Sequence, residues 1–231
     1  LACVARFDLG PKARAELEEQ VAGANAAMAR AKATLVALQA HDPETVAIWT
    51  RITDVTMREC LHACKRLHAN VSDRDSAGES SYATELGPLV DDLASRGVAE
   101  LSDGALVVRN EGILEPTLVR KSDGGFLYAT TDLAAIRRRV QKIGAGRVIY
   151  TVDARQGLHF KQVFASAHKA GYSRRPDGAV ARLEHAAFGT VLGEDGRPFK
   201  TRSGENVKLA SLIDEAIERA TARVGEKNAD L

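Results

Sequence analysis

Tyr128 and Asp132 lie four residues apart in Phe126-Leu-Tyr-Ala-Thr-Thr-Asp132, where a strand-like run gives way to a helical one. A carboxylate beside a phenol can line one cavity, the first supplying charge and the second a hydrogen-bonding wall. Such a pair suits a cationic ligand. A guanidinium is favoured because its planar fork accepts a bidentate partner. The competing reading is that Asp132 only caps the helix that Thr130-Thr-Asp132 opens. A second cluster, Asp153-Ala-Arg-Gln156 with His159, stands at the start of the following helix. Gln156 and His159 could each hydrogen-bond a ligand there, or His159 could be an ordinary surface histidine. The third cluster runs from Gly193 to Gly204 and holds Arg197, Lys200, Arg202 and Ser203. Mobile cations and backbone N–H groups of this kind can clamp a developing pyrophosphate charge, although the run is not a Walker A sequence and also fits a solvated hairpin tip. Cys60, His62, Cys64 and His68 resemble a metal cluster on paper. On a helix, however, positions 60, 64 and 68 share a face that His62 leaves, and zinc sites favour knuckle turns. The expectation is buried thiols and no metal.

These residues need elements to hold them. Pro11 suits a first helical turn, and Leu17, Val21, Ala24, Met28, Ala31, Leu35 and Leu38 recur at helical spacing. Asp42-Pro43 reads as the cap and first position of a second helix reaching about Leu67. The polar run Val71–Tyr82 is long for a plain connector and reads as a working loop. A short helix over 88–95 ends at Gly97, and Ala105–Val108 is a strand. Thr117–Lys121, Ser122-Asp-Gly-Gly125 and Phe126–Ala129 read as a β-hairpin. A helix over 133–143, a buried strand over 147–152, a helix over 157–170, a strand over 183–188 and a helix over 207–223 complete the order. Strand, helix, strand, helix, strand is half of a doubly wound fold. The fold class expected is therefore α/β: half of a Rossmann-like parallel sheet preceded by a helical region. In such a sheet ligands collect beyond the carboxyl ends of the strands, where all three clusters fall.

Composition narrows the class further. Of 231 residues, 32 are Lys or Arg and 31 are Asp or Glu, which argues against a surface given over to nucleic acid but permits a local basic patch. Three cysteines, Cys3, Cys60 and Cys64, favour free thiols in a reducing compartment, so a cytoplasmic protein is expected. No apolar run approaches the roughly 20 residues of a membrane span. The chain begins Leu1-Ala-Cys-Val without an initiator Met, which suggests a piece of a longer protein.

Four runs together carry a family resemblance. Ser122–Ala135, Asp153-Ala-Arg-Gln-Gly-Leu-His159, His185-Ala-Ala-Phe-Gly189 and Gly193–Leu209 closely resemble class I arginyl-tRNA synthetases, in order, within a match spanning residues 45–224. Gly78-Glu-Ser80 fits that family's arginine-site loop. The resemblance implies that Glu79, Tyr128, Asp132 and Gln156 hold L-arginine, with Tyr128 and Asp132 on its guanidinium. It implies that His159 lies by the nucleotide and that His185, Phe188, Gly189 and Val191 belong to a segment packing on adenine. It places Lys200-Thr-Arg-Ser-Gly204 where class I synthetases carry their Lys-Met-Ser-Lys-Ser loop, with Lys200, Arg202 and Ser203 as catalytic residues. The loop's second lysine is absent, and Arg197 is the upstream cation that would compensate. ATP with Mg2+, and tRNA in the intact enzyme, are the implied partners.

No His-Ile-Gly-His motif occurs, nor an anticodon-binding domain. The expected organisation is a helical region over 1–97 with the arginine-site loop near 70–82. The second half of the nucleotide fold comes next, over 98–206, and a helix over 207–231 leads outward. The isolated chain is expected not to form arginyl-adenylate at a useful rate. The alternative is a non-catalytic paralogue that binds arginine or tRNA.

Overall fold

The structure is a computed structural model and describes residues 10–189 and 209–228. Helix α1 (Pro11–Gln39) starts on a proline at its first position, and α2 (Pro43–Arg66) does the same after a tight turn. Asp42 caps α2 as the sequence suggests: its Oδ2 accepts from the Thr45 N–H at 3.0 Å and from the Thr45 hydroxyl at 3.0 Å. The apolar stripe of α1 is only partly covered. Leu17, Val21 and Leu38 are half-buried, whereas Met28 and Leu35 are exposed. This hairpin belongs to a compact unit that ends at Asp75, and a second unit begins at Ser76. His68 lies past the end of α2 with a positive φ of 55°, so it does not share a helix face with the cysteines. Cys60 is exposed and Cys64 half-buried, which replaces the expected buried thiols: no residue of α2 is fully buried.

In the second unit, a 3-10 turn at Glu79–Tyr82 leads into α3 (Ala83–Ser95). Three short strands come after it: β1 (Glu100–Ser102), β2 (Ala105–Val108) and β3 (Thr117–Arg120), antiparallel in that spatial order. Asp103 and Gly104, with φ of 49° and 78°, form the two-residue turn joining β1 to β2. Positive φ at both central residues matches the right-handed twist of flanking strands, and Asp-Gly adopts it at low cost.

The Ser122–Gly125 turn forms, with the Lys121 N–H donating to the Gly125 carbonyl at 2.9 Å and φ of 87° at Gly124. The expected second arm of a hairpin, over Phe126–Ala129, does not form. Tyr128 already opens α4 (Tyr128–Arg137), and β3 finds its partner upstream in β2. The helix widens into a π turn over Arg138–Lys142 and stops before Gly144. Strand β4 (Arg147–Asp153), helix α5 (Gly157–Lys169) and strand β5 (Arg182–Phe188) then form a βαβ unit. Its strands pair in parallel from Arg147↔Arg182 to Asp153↔Phe188. Among the described residues the parallel sheet thus has two strands, not three, because β3 joins the antiparallel sheet. β4 is half-buried rather than buried: Val148 faces the core, and Ile149 is 49% exposed on the other side. Helix α6 (Leu209–Asn228) ends the described chain. The architecture is mixed α/β.

The core lies where α4 packs between α3 and α5 and across β3. Leu89, Leu93, Leu133, Ile136, Val140 and Val163 are completely shielded there. One buried polar knot ties α5 to β3. The Asn110 side-chain amide donates to Thr117 Oγ1 at 3.0 Å and to Ser166 Oγ at 2.9 Å, and Ser166 Oγ donates to Thr117 Oγ1 at 2.9 Å. No helix among the described residues is long and apolar enough to cross a membrane.

Candidate functional site

α4 begins where it does because Leu127 is extended and its N–H turns back onto Thr130 Oγ1 at 3.4 Å. Thr130 is fully buried and donates its hydroxyl to the Val119 carbonyl at 2.6 Å, which stitches the first turn of α4 to β3. Asp132 is then the fifth residue of the helix, beyond reach of a capping position. Tyr128 and Asp132 stand one turn apart on a single face. The sequence suggests a spacing across a strand–helix junction; the structure puts both residues in one helix, and they still converge.

Asp132 turns to α5. Its Oδ2 accepts from His159 Nε2 at 2.7 Å, and the Tyr128 ring meets the His159 ring edge-on at 4.8 Å between centroids. α5 is set up by Asp153, which ends β4 and accepts from the Arg155 N–H at 2.8 Å. The 3-10 turn Ala154–Gln156 comes next, and His159 becomes the third residue of the helix. The structure therefore joins Tyr128, Asp132 and His159 directly. Among the described residues, Asp132 Oδ1 makes no hydrogen bond, and Tyr128 is 62% exposed beside it. The result is a carboxylate with one oxygen held by an imidazole, one oxygen available, and an aromatic wall. Glu79, at the start of its 3-10 turn, and Gln156, before α5, are both exposed. No side-chain hydrogen bond among the described residues links either to this trio.

An aromatic layer runs on from His159. Phe160 lies 5.0 Å from His159 and 4.8 Å from His185, centroid to centroid. His185 Nε2 donates to the Val152 carbonyl at 3.0 Å, across the β4–β5 pair. Phe188 and Gly189 stand at the carboxyl end of β5, both exposed. Behind the layer, Tyr150 accepts from Arg139 at 3.0 Å. Burial pushes the Tyr150 hydroxyl up to about 12, the Arg139 charge pulling the other way. Val191, Arg197, Lys200, Arg202 and Ser203 lie outside the described residues.

Sequence reasoning missed two contributors. Phe160 reads in the sequence only as part of a core stripe, although its place next to His159 at a strand–helix switch was a usable signal. Arg138 carried no signal at all. From the π turn, its guanidinium donates to Glu85 Oε1 at 3.0 and 2.8 Å and to the Ser81 carbonyl at 2.6 Å, and it covers the Tyr82 ring at 3.9 Å. Burial alone pushes the Glu85 carboxyl up, but the Arg138 bonds and charge, with Lys142, more than reverse this and hold it below its usual value. A carboxyl depressed in the folded state stabilises fully above its unfolded value, about 4.3, and stops doing so as pH falls through the folded value. Glu85→Gln should therefore lower the urea midpoint at pH 7. Its gap from the unaltered chain should narrow as pH is taken below about 4; a gap constant from pH 7 to pH 3 would contradict the linkage.

Known proteins share both this fold and long runs of this sequence. The family described as tRNA synthetases class I (R), catalytic domain, matches residues 11–231. An arginine–tRNA ligase of Pseudomonas putida is 46% identical over 208 residues, covering 87% of this chain and 35% of that protein. One from Shewanella amazonensis is 47% identical over 208 residues with the same shares. The chain thus spans about a third of the length of these curated relatives. Among solved structures, arginyl-tRNA synthetase from Plasmodium falciparum is similar with a TM-score of 0.69 and 26% identity, over 85% of this chain and 32% of that one. The Thermus thermophilus enzyme shares the fold at a TM-score of 0.55 and 22% identity, over 84% and 40%.

Proposed function

The chain belongs to the class I arginyl-tRNA synthetase family, and we propose that it carries the arginine pocket and one nucleotide-facing half of such an enzyme. In the whole protein, the carboxylate of L-arginine attacks the α-phosphorus of ATP, pyrophosphate leaves, and the tRNA 3′ end then takes the arginyl group as AMP departs. Magnesium enters with ATP as part of that substrate. The protein's share is orientation and charge stabilisation without a covalent enzyme intermediate.

The observation that carries this reading is the Asp132 carboxylate, set against Tyr128 and held on one oxygen by His159. A substrate guanidinium takes the open oxygen first. A bidentate grip uses both oxygens. A carboxylate has about four lone-pair sites, so Oδ2 can serve the guanidinium while keeping His159, which leads on to the aromatic layer of Phe160 and His185. That is the side assigned to the nucleotide, where His159, His185, Phe188, Gly189 and Val191 would meet adenine. Glu79 and Gln156 would complete the arginine contacts. Lys200, Arg202 and Ser203, with Arg197 in place of the missing loop lysine, would neutralise the departing pyrophosphate.

The finer fold reading also stands as a proposal. β4–α5–β5 supports one half of a doubly wound sheet, and the exposed Ile149 face suits further covering elements. We assign the nucleotide half to 98–206, the preceding helical region with its arginine-site loop to 1–97, and the outgoing helix to 207–231.

Calorimetric titration of the chain with L-arginine and with L-citrulline tests the site. Citrulline has nearly the same shape but no side-chain charge. Arginine should bind, with citrulline weaker by at least ~10-fold, since a charge-assisted pair is about twice as strong as a neutral one. Equal affinities would remove the guanidinium site and the reading with it.

A further inference from the structure

We propose that Arg138 is a positioning residue for the arginine site, acting through Glu79; this rests on the reading of Glu79, Tyr128 and Asp132 as arginine contacts. Those contacts come from two separate elements. Tyr128 and Asp132 ride on α4, and Glu79 rides on the 3-10 turn Glu79–Tyr82, some fifty residues earlier in the chain. Their mutual placement therefore needs a tie, and Arg138 supplies it from the far end of α4.

The tie is specific in form. One guanidinium nitrogen of Arg138 reaches both the Ser81 carbonyl, at 2.6 Å, and Glu85 Oε1, at 2.8 Å. A second approaches Ser81 Oγ at 3.3 Å, and the plane covers the buried Tyr82 ring at 3.9 Å. Backbone, side chain and ring of the turn are thus engaged at once, two residues from Glu79. Lysine, a point charge on a flexible stem, cannot make this planar set of contacts. The helix widens at this residue, the Ile143 N–H bonding to the Arg138 carbonyl at 3.1 Å, five residues back. Arg138 itself stays in the α-helical ladder, its N–H bonding to the Ala134 carbonyl; its side chain reaches the 3-10 turn, and that of Arg139 reaches Tyr150 on β4. Single π turns of this kind break the regular ladder and are frequent at functional sites.

The test is a double-mutant cycle for L-arginine affinity, measured by calorimetry on the chain with Arg138→Gln, Glu79→Gln and both. If Arg138 acts by placing Glu79, its loss weakens arginine binding by about tenfold with Glu79 present and by little once Glu79 is gone. An equal loss in both backgrounds, or no loss, overturns the proposal. Arg138→Lys, which keeps a cation at Glu85, guards against an unfolded variant. It should show the same Glu79-dependent loss, and wild-type affinity in it would also overturn the role. Hydrogen exchange of the ligand-free chain gives a readout independent of substrate. The Ser81 and Ala83 amides, bonded to Gly78 and Ser80, should exchange faster in both Arg138 variants; unchanged rates overturn the clamp. Absence of arginine binding in the unaltered chain would instead strike the functional reading, and exchange would still decide whether Arg138 holds the turn.

Discussion

Asp132→Asn should lower the affinity of the chain for L-arginine by at least ~30-fold, corresponding to about 2 kcal/mol or more. Removing one member of a desolvated, hydrogen-bonded charge pair typically costs about 2–5 kcal/mol. The substitution keeps shape and one acceptor oxygen, so His159 retains a partner, and Asp132 plays no part in capping α4. Fold and stability should therefore be nearly unchanged, which circular dichroism and a urea transition would establish in the same samples. The preference for arginine over citrulline should collapse, because it rests on the charge that has been removed. An Asp132→Asn chain that still prefers arginine by its original factor would move the guanidinium site elsewhere. The prediction separates the two roles that the bare sequence left open. A lost cap weakens the helix and spares the ligand, whereas a lost ligand carboxylate does the reverse.

How legible this was depended on whether the deciding contact was local. Asp42, Pro43 and Thr45 form a cap within four residues, and that boundary could be read directly. Strands β4 and β5 and helix α5 were legible too, because Gly and Asp punctuate apolar runs of clear period. The hairpin at Phe126–Ala129 was not. The Asp-Gly-Gly turn is real, but a helix starts at Tyr128 because the buried Thr130 hydroxyl bonds to the Val119 carbonyl, eleven residues back. A strand-like run lost to that tertiary bond. The Asp103-Gly104 turn was local and readable as the β1–β2 connection, but the pairing of β3 with β2 joins strands separated by a longer loop. In the site, residue type and spacing sufficed for Tyr128 and Asp132, since four apart serves on a helix as it does across a junction. The partnership of Asp132 with His159 joins positions 27 apart, and that of Arg138 with Glu85 joins positions 53 apart. Nothing in the spacing of either pair encodes them; the packing of α4 on α5 and α3 does.

That packing sets the second large effect, one residue along from the first. Leu133→Ala should destabilise the second unit by about 2–5 kcal/mol, the usual range for emptying a buried leucine site that cannot fully collapse. Leu133 has no exposed surface, and it sits with Ile136, Leu89 and Leu93 in the core that α4 shares with its neighbours. Urea unfolding followed by a probe in residues 76–189 measures the loss as a lower midpoint with an unchanged slope. The arginine site should behave differently. In the folded fraction, Tyr128 and Asp132 still lie on a face of the first two turns distinct from that of Leu133, and Thr130 still anchors that helix start to β3. At low temperature without denaturant, Leu133→Ala should bind L-arginine within about threefold of the unaltered chain, because the bond that fixes the helix start is made by Thr130 and the two side chains share no partner. A loss below about 1 kcal/mol would mean the core repacks around the void. An intact midpoint with lost arginine binding would mean that the face of α4 holding Asp132 is set by Leu133 rather than by Thr130. Neighbouring residues on one helix thus divide the work: Asp132 turns toward His159 with one oxygen free to select charge, and Leu133 faces the core to keep the helix in place.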